Sequence, residues 1–294
     1  MDGKRENMDL KVSKQGLNEH RKLMLKSFLH NKLAIGGLII TVLLLLLSIL
    51  SPVIAPVGPY EMDVVNKLKP PSAAHIFGTD NLGRDVFART VYGIKLSLFV
   101  GAATACVTFI LGLLLGLLAG YFKFWDNVIM RVCESMMSIP SILMAIALMA
   151  ALGSSVGNII IALSIVYTPM VARVARSAVL SVKEQTYIEA IASQGASWPR
   201  ILFGHIAPNV ISPVIVQSTF TFASAIIVEA SLSYLGCGIP SVIPTLGNII
   251  NDAKLVVLTS WWMTLFPSIV MLLLVLGVNI LGDGVRDVLD PLSN

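Results

Sequence analysis

The sequence predicts an all-α, polytopic membrane protein with six transmembrane helices, and three observations carry that expectation. Hydrophobic residues make up 55% of the 294 residues and charged residues only 13%. With a mean hydropathy of +0.82, this lies outside the range of ordinary soluble domains. About 20 apolar residues in a helix cross the hydrocarbon core, and six runs reach that length, near 33–55, 94–122, 130–152, 156–180, 209–235 and 260–282. Lys and Arg, finally, gather on one set of connecting segments, as the positive-inside rule requires.

Residues 1–32 form a basic N-terminal segment. Leu25, Leu29 and Leu33 recur at helical spacing between Lys22, Lys26 and His30, the pattern of a helix lying on an anionic leaflet. A disordered basic tail fits equally well before residue 16. The first span, 33–55, resembles a signal peptide in following a basic segment. Its apolar stretch is longer than a signal core, however, and no small-residue cleavage site follows, so an uncleaved span is expected.

Residues 56–92 form an extracytoplasmic segment. Pro56, Pro59, Pro70 and Pro71 make its first half irregular. In its second half, from Phe77 to Phe87, Thr79 or Asp80 is expected to cap the helix that carries Val86 and Phe87 into the second span. Such a helix would fix the depth of that span, and the segment also suits docking of an outer partner.

The second span opens a core over 93–283 and places Thr104, Thr108, Gly112, Gly116 and Gly120 on one helix face. Small residues at this spacing let a neighbouring backbone approach closely, which is how helices associate within lipid. This helix is expected at the centre of the bundle.

Orientation follows from charge. With the N-terminus in the cytoplasm, fifteen of the 21 basic residues fall inside, including Lys123, Arg131, the block from Arg173 to Arg200, and Arg286 in the tail 284–294. Both termini are therefore expected to be cytoplasmic, with Trp261 and Trp262 at the outer interface. Among charges within spans, Arg173 and Arg176 are placed to snorkel to the inner interface and Glu134 lies near that surface. Glu229 lies deeper, either lining a cavity or making a structural hydrogen bond. Cys106, Cys133 and Cys237 have no metal-like spacing.

Several chemistries are absent from the sequence. There is no phosphate-binding P-loop and no HExxH, and all four histidines lie outside the spans. Gly153-Ser154-Ser155 and Gly195-Ala196-Ser197 have no histidine placed as a partner. A coupled carrier would want several midplane charges and often an internal repeat, and neither is evident.

The polar block at 181–208 is too long and too structured for a plain connection. Glu184–Ala192 is expected to form a short helix with Ile188, Ile191 and Ala192 on one face. Gly195 would supply its left-handed end, Trp198-Pro199 would start a second helix, and Pro208 would break the chain before the fifth span. Such a helix–Gly–helix unit can protrude from the membrane and transmit force.

The run Glu189-Ala190-Ile191-Ala192-Ser193-Gln194-Gly195, followed by His205-Ile206-Ala207-Pro208-Asn209, resembles the EAA loop of bacterial ATP-binding-cassette (ABC) importer permeases. Phe77-Gly78-Thr79-Asp80 with Gly83-Arg84-Asp85, the run Glu229 to Gly236, and the ending Asn279 to Asp287 are similar to the dipeptide, oligopeptide and nickel permeases. The resemblance covers roughly residues 20–292 and implies the type I importer (MetI-like) permease fold in a bacterial cytoplasmic (inner) membrane. It also implies that Glu189, Ala190, Ile191, Gly195, Ala196, His205 and Pro208 couple to separate ATPase subunits. The chain itself would then hold no cofactor or metal, with ATP and magnesium on those subunits. The implied partners are a second, homologous permease in a heterodimer, two ATPases, an extracytoplasmic binding protein and the bilayer, with no nucleic acid. Peptides or nickel chelates are the implied cargo.

The sequence departs from the family at Ile191, where Ala is usual, and in 237–258, which lacks the Trp-Gly turn. Two other function classes remain: a transporter or channel that works alone, and an intramembrane enzyme or assembly factor using Ser154 or Ser155.

Overall fold

The computed structural model describes residues 31–55 and 57–289. The amphipathic helix expected before Asn31, and the last residues of the 284–294 tail, lie outside the described residues. Helix α1, Lys32–Ile49, starts where the Asn31 side chain accepts hydrogen bonds from the Leu33 and Ala34 amides, both at 3.1 Å. It breaks at Leu50 and adds one turn, Ser51–Ile54.

Helix α2, Val86–Tyr121, begins earlier than hydropathy suggests. Its cap is Asp85, which accepts from the Ala88 amide at 2.7 Å. Neither Thr79 nor Asp80 performs that role. Both are buried against the preceding segment, where the Thr79 hydroxyl donates to the Asn66 carbonyl at 2.5 Å and accepts from the Lys69 amide at 2.8 Å.

The third run is not one straight span. It divides into α3, Lys123–Met137, and α4, Ser141–Leu152, bent by 95°. Pro140 disfavours helical geometry at Ile139. Charge divides the arms further: α3 carries Lys123, Asp126, Arg131 and Glu134, whereas α4 is uncharged and apolar beyond Ser141. Helix α5, Val156–Lys183, is capped by Ser155, and α6, Thr186–Ser193, follows at once.

From Trp198 the chain runs as a helix to Tyr234, through a π-helical turn at Leu202–Ile206 into α7, Ala207–Tyr234. Pro208 therefore does not break the chain. The widened turn already departs from regular i→i−4 bonding, with the Ala207 amide reaching Leu202. The missing amide of Pro208 thus falls where the ladder is relaxed. Two helices complete the fold: α8, Leu246–Asp252, and α9, Trp262–Leu289. The tail that begins at 284 continues α9.

Helix α2 lies along α5 and also touches α1, α3 and α7. Its stripe of Thr104, Thr108, Gly112, Gly116 and Gly120 is buried. A Cβ on Gly112, Gly116 or Gly120 would stand 2.6, 2.3 or 2.5 Å from the side chain of Val171, Ala175 or Val179 respectively. Both sets of numbers rise together, so α2 and α5 run parallel. The chain must cross the bundle between them, and only the bent α3–α4 pair is available for that crossing. Five helices are long and apolar enough to span alone, and this pair supplies the sixth. The expected six-span all-α architecture stands, with a broken third span.

Six crossings place α6 and both ends of the described chain on one side. The Asn31 side chain donates to Asp287 there at 2.7 Å. The segment from 57 to 85 and α8 occupy the opposite side.

Candidate functional site

The protrusion built by α6 is fixed from beneath by apolar packing. Ile188, Ile201, Leu202 and Ile206 are buried with Leu117 of α2, Val171, Ala175 and Val179 of α5, and Val210 and Val214 of α7. Ile191 and Ala196 pack against the same cluster, so the larger side chain at Ile191 adds contact area on the packed face. Ala192, expected on that face, is exposed.

Gly195 has φ +82° and open space around it. It takes the left-handed conformation that costs other residues about 1 kcal/mol or more, and its amide bonds to Ala192 at 3.0 Å. The chain thereby reverses into Trp198-Pro199. The outward surface presents Glu189, Ala190, Ser193, Gln194 and the rings of Tyr187 and Trp198.

Glu189, Ala190, Ile191, Gly195 and Ala196 thus share one compact knuckle. His205 and Pro208 do not belong to it. They lie along the π turn and the start of α7, where the Asn209 side chain donates to the His205 carbonyl at 2.7 Å.

Three supports of this knuckle were missed by sequence reasoning. The Asn209 side chain also donates to the Tyr187 hydroxyl at 3.3 Å, tying α7 to α6. Lys183 donates to the Tyr121 carbonyl at 2.8 Å, and Phe122 meets Trp198 edge to face at 5.4 Å. Arg176, rather than snorkelling, makes a two-pronged ion pair with Asp126 of α3, one arm at 2.7 Å. Sequence alone does not single out that pair, because α3 also carries Glu134 and α5 also carries Arg173.

At the opposite end lies a buried ionic cluster. The carboxylate of Asp80 accepts from Arg84 and Arg89, each at 2.6 Å. Asp252 of α8 accepts from the same two arginines at 2.9 Å. Two positive and two negative charges balance here, as burial requires. The cluster staples the segment before α2 to α8. Trp262 is not an interfacial anchor; it is buried and donates to the Thr79 carbonyl at 3.2 Å.

Glu229 is fully buried and accepts from Ser97 of α2 at 3.0 Å and from Ser233 at 2.9 Å. Of the two roles open to it, the geometry shows the structural hydrogen bond. Among the described residues no cluster of His, Cys, Asp and Glu has metal-binding geometry.

Residues 112–293 match the model of a family described as the binding-protein-dependent transport system inner membrane component. Residues 21–71 match the N-terminal TM domain of oligopeptide transport permease C. The dipeptide transport system permease protein DppC of Alkalihalophilus pseudofirmus is 44% identical over 267 residues, spanning 90% of this chain and 88% of that protein. The oligopeptide transport system permease protein OppC of Bacillus subtilis is 40% identical over 282 residues, spanning 96% and 92%.

Among solved structures, a chain of the inward-facing MetNI methionine ABC transporter superposes with a TM-score of 0.57. It covers 68% of this chain and 96% of that one at 20% identity, which establishes the shared fold. The matched family region runs from Gly112 through the knuckle to the end of α9. The bundle and its protruding helix are therefore family architecture, and the chain belongs to the inner membrane components of binding-protein-dependent transport systems.

Proposed function

We propose that this chain is the permease subunit of an ATP-driven importer that passes peptides handed over by an extracytoplasmic binding protein. The observation that carries this is the knuckle: a rigid helix–Gly–helix unit seated on α2, α5 and α7, which leaves Glu189, Ala190, Ser193 and Gln194 exposed on its outer surface. Such a unit suits the cleft of a separate ATPase. Closure of two ATPase subunits around ATP and magnesium would push α6 and turn the cavity outward, and hydrolysis would reset it. This is a population shift between two states driven by differential binding.

A second, similar permease completes the pathway in this scheme, as a heterodimer. The chain itself binds no nucleotide, metal or nucleic acid. The end bearing α6 and both termini faces the cytoplasm of a bacterial cell, an orientation supported by the distribution of basic residues. Relatives named for dipeptides and oligopeptides favour peptide cargo over nickel chelates.

The test is site-directed crosslinking from Ala190→Cys and Ala196→Cys in intact cells and in inverted vesicles. Capture of a nucleotide-hydrolysing subunit, with labelling from the cytoplasmic face, is the expected result. Labelling only from outside the cell would overturn the scheme.

A further inference from the structure

At the α6 end of the bundle, a pocket of about 640 Å³ opens between α5, α7 and α9. Its size suits a small ligand, since such sites occupy roughly 300–1,000 Å³. Its lining combines Val174, Val216 and Phe220 with the polar side chains of Ser212, Gln217 and Arg286. Among the described residues, the Arg286 guanidinium, the Gln217 amide and the Ser212 hydroxyl have no hydrogen-bond partner. Arg286 is exposed and Gln217 and Ser212 are half-buried, and all three border one concavity.

An arginine in the last turn of α9 is explained by the helix dipole and an interfacial position. Gln217 is not. It sits eight residues beyond Asn209 along α7, about 12 Å further into the span. A half-buried amide that far along the span finds its bonding partners through the pocket it lines.

We propose that this pocket holds the carboxylate end of a short peptide, Arg286 taking the carboxylate while Gln217 and Ser212 bond the adjoining backbone amides. The proposal rests on peptide cargo and adds an exit-side site for it. Arginine forks match carboxylates in paired, charge-assisted bonds, and Val174, Val216 and Phe220 offer an apolar bed for side chains. A lipid phosphate would satisfy Arg286 equally. It would leave Gln217 against an acyl chain, and the peptide accounts for both groups. Asn209 lines the pocket and bonds Tyr187 of α6, so an occupant touches the base of the knuckle.

The experiment uses the complete assembled transporter in phosphatidylcholine nanodiscs, without binding protein, and measures equilibrium binding of radiolabelled dialanine. Saturable binding is expected, with unlabelled dialanine competing and dialanine amide failing to compete. Arg286→Gln is expected to weaken binding by about tenfold or more, and Arg286→Lys by less, since Lys keeps the charge and loses the fork. Val174→Trp, which fills the pocket and leaves its charge, is expected to abolish binding.

Absence of saturable binding, or equal affinity in Arg286→Gln, overturns the site. So does displacement of the label by phosphatidylglycerol in the disc together with equal competition by dialanine amide, which assigns the pocket to lipid. Stimulation of ATP hydrolysis by the binding protein, measured on the same wild-type discs, reports on the importer scheme separately. Its presence without dialanine binding sinks only the exit site.

Discussion

Gly116 of α2 faces Ala175 of α5 so closely that a Cβ on the glycine would stand 2.3 Å from the alanine Cβ. The same helix pair is as tight one turn either side, at Gly112 and Gly120. Gly116→Val is therefore expected to destabilise the permease by about 1–3 kcal/mol through overpacking, seen as a lowered apparent Tm of the purified protein. Gly36→Ala on α1, with nothing within 4 Å, is the control and should leave Tm unchanged. Partial rescue of Gly116→Ala by Ala175→Gly would tie the loss to this contact. Wild-type Tm in Gly116→Val would mean that the helices separate freely here.

The ionic cluster predicts an order of severity. Asp80→Asn leaves Arg84 and Arg89 short of their most buried counter-charge, and breaking a buried pair costs about 3–5 kcal/mol. Asp252 is partly solvated at 16% side-chain exposure, so Asp252→Asn should cost less. Folded yield of fluorescent-protein fusions should fall as wild type, Asp252→Asn, Asp80→Asn. Equal yields for the two variants would contradict the assigned burial.

Much of this was legible in the sequence, and the failures share a cause. Span positions and the Gly112-Gly116-Gly120 stripe were readable because hydropathy and four-residue spacing are local properties. The bend at Pro140 was hidden because a hydropathy window averages polar α3 with apolar α4. The cap of α2 was misassigned to Thr79 or Asp80 because the choice is tertiary: Asp80 is drawn to Arg84 and Arg89, leaving Asp85 to take the amide. Pro208 was read as a break because nothing in the sequence announces the π turn before it. The role of Glu229 was undecidable for a similar reason, since its partner Ser97 is 132 positions away.

That last pair makes a chemical distinction. Glu229→Gln keeps the length and at least one acceptor for Ser97 or Ser233, whereas Glu229→Leu strands both hydroxyls in the interior. A buried polar group left unpaired costs about 1–3 kcal/mol. Glu229→Gln is expected to fold and transport near wild-type level, and Glu229→Leu to lose stability by roughly that amount. Ser97→Ala, removing one donor, should lie between in apparent Tm. Strong loss of transport in a stable Glu229→Gln protein would show that the charge itself matters and that the structural role is incomplete.

The knuckle separates folding from function most sharply. Glu189 is exposed and its side chain makes no hydrogen bond or ion pair among the described residues, so Glu189→Lys should leave membrane insertion and Tm untouched. At Gly195 the side-chain space is open and only the backbone resists. Gly195→Ala then costs about 1 kcal/mol of local strain and should retain most transport. Gly195→Pro cannot adopt φ +82°, and it also removes the amide that bonds Ala192. It should remodel the turn and abolish uptake and binding-protein-stimulated ATP hydrolysis. Ile188→Asp, by contrast, attacks the packed face and should lower Tm as well as transport. If α6 passes work from an ATPase to the bundle, Glu189→Lys and Gly195→Pro must uncouple without unfolding. Normal uptake in both, in protein inserted at wild-type levels, would leave α6 no part in coupling.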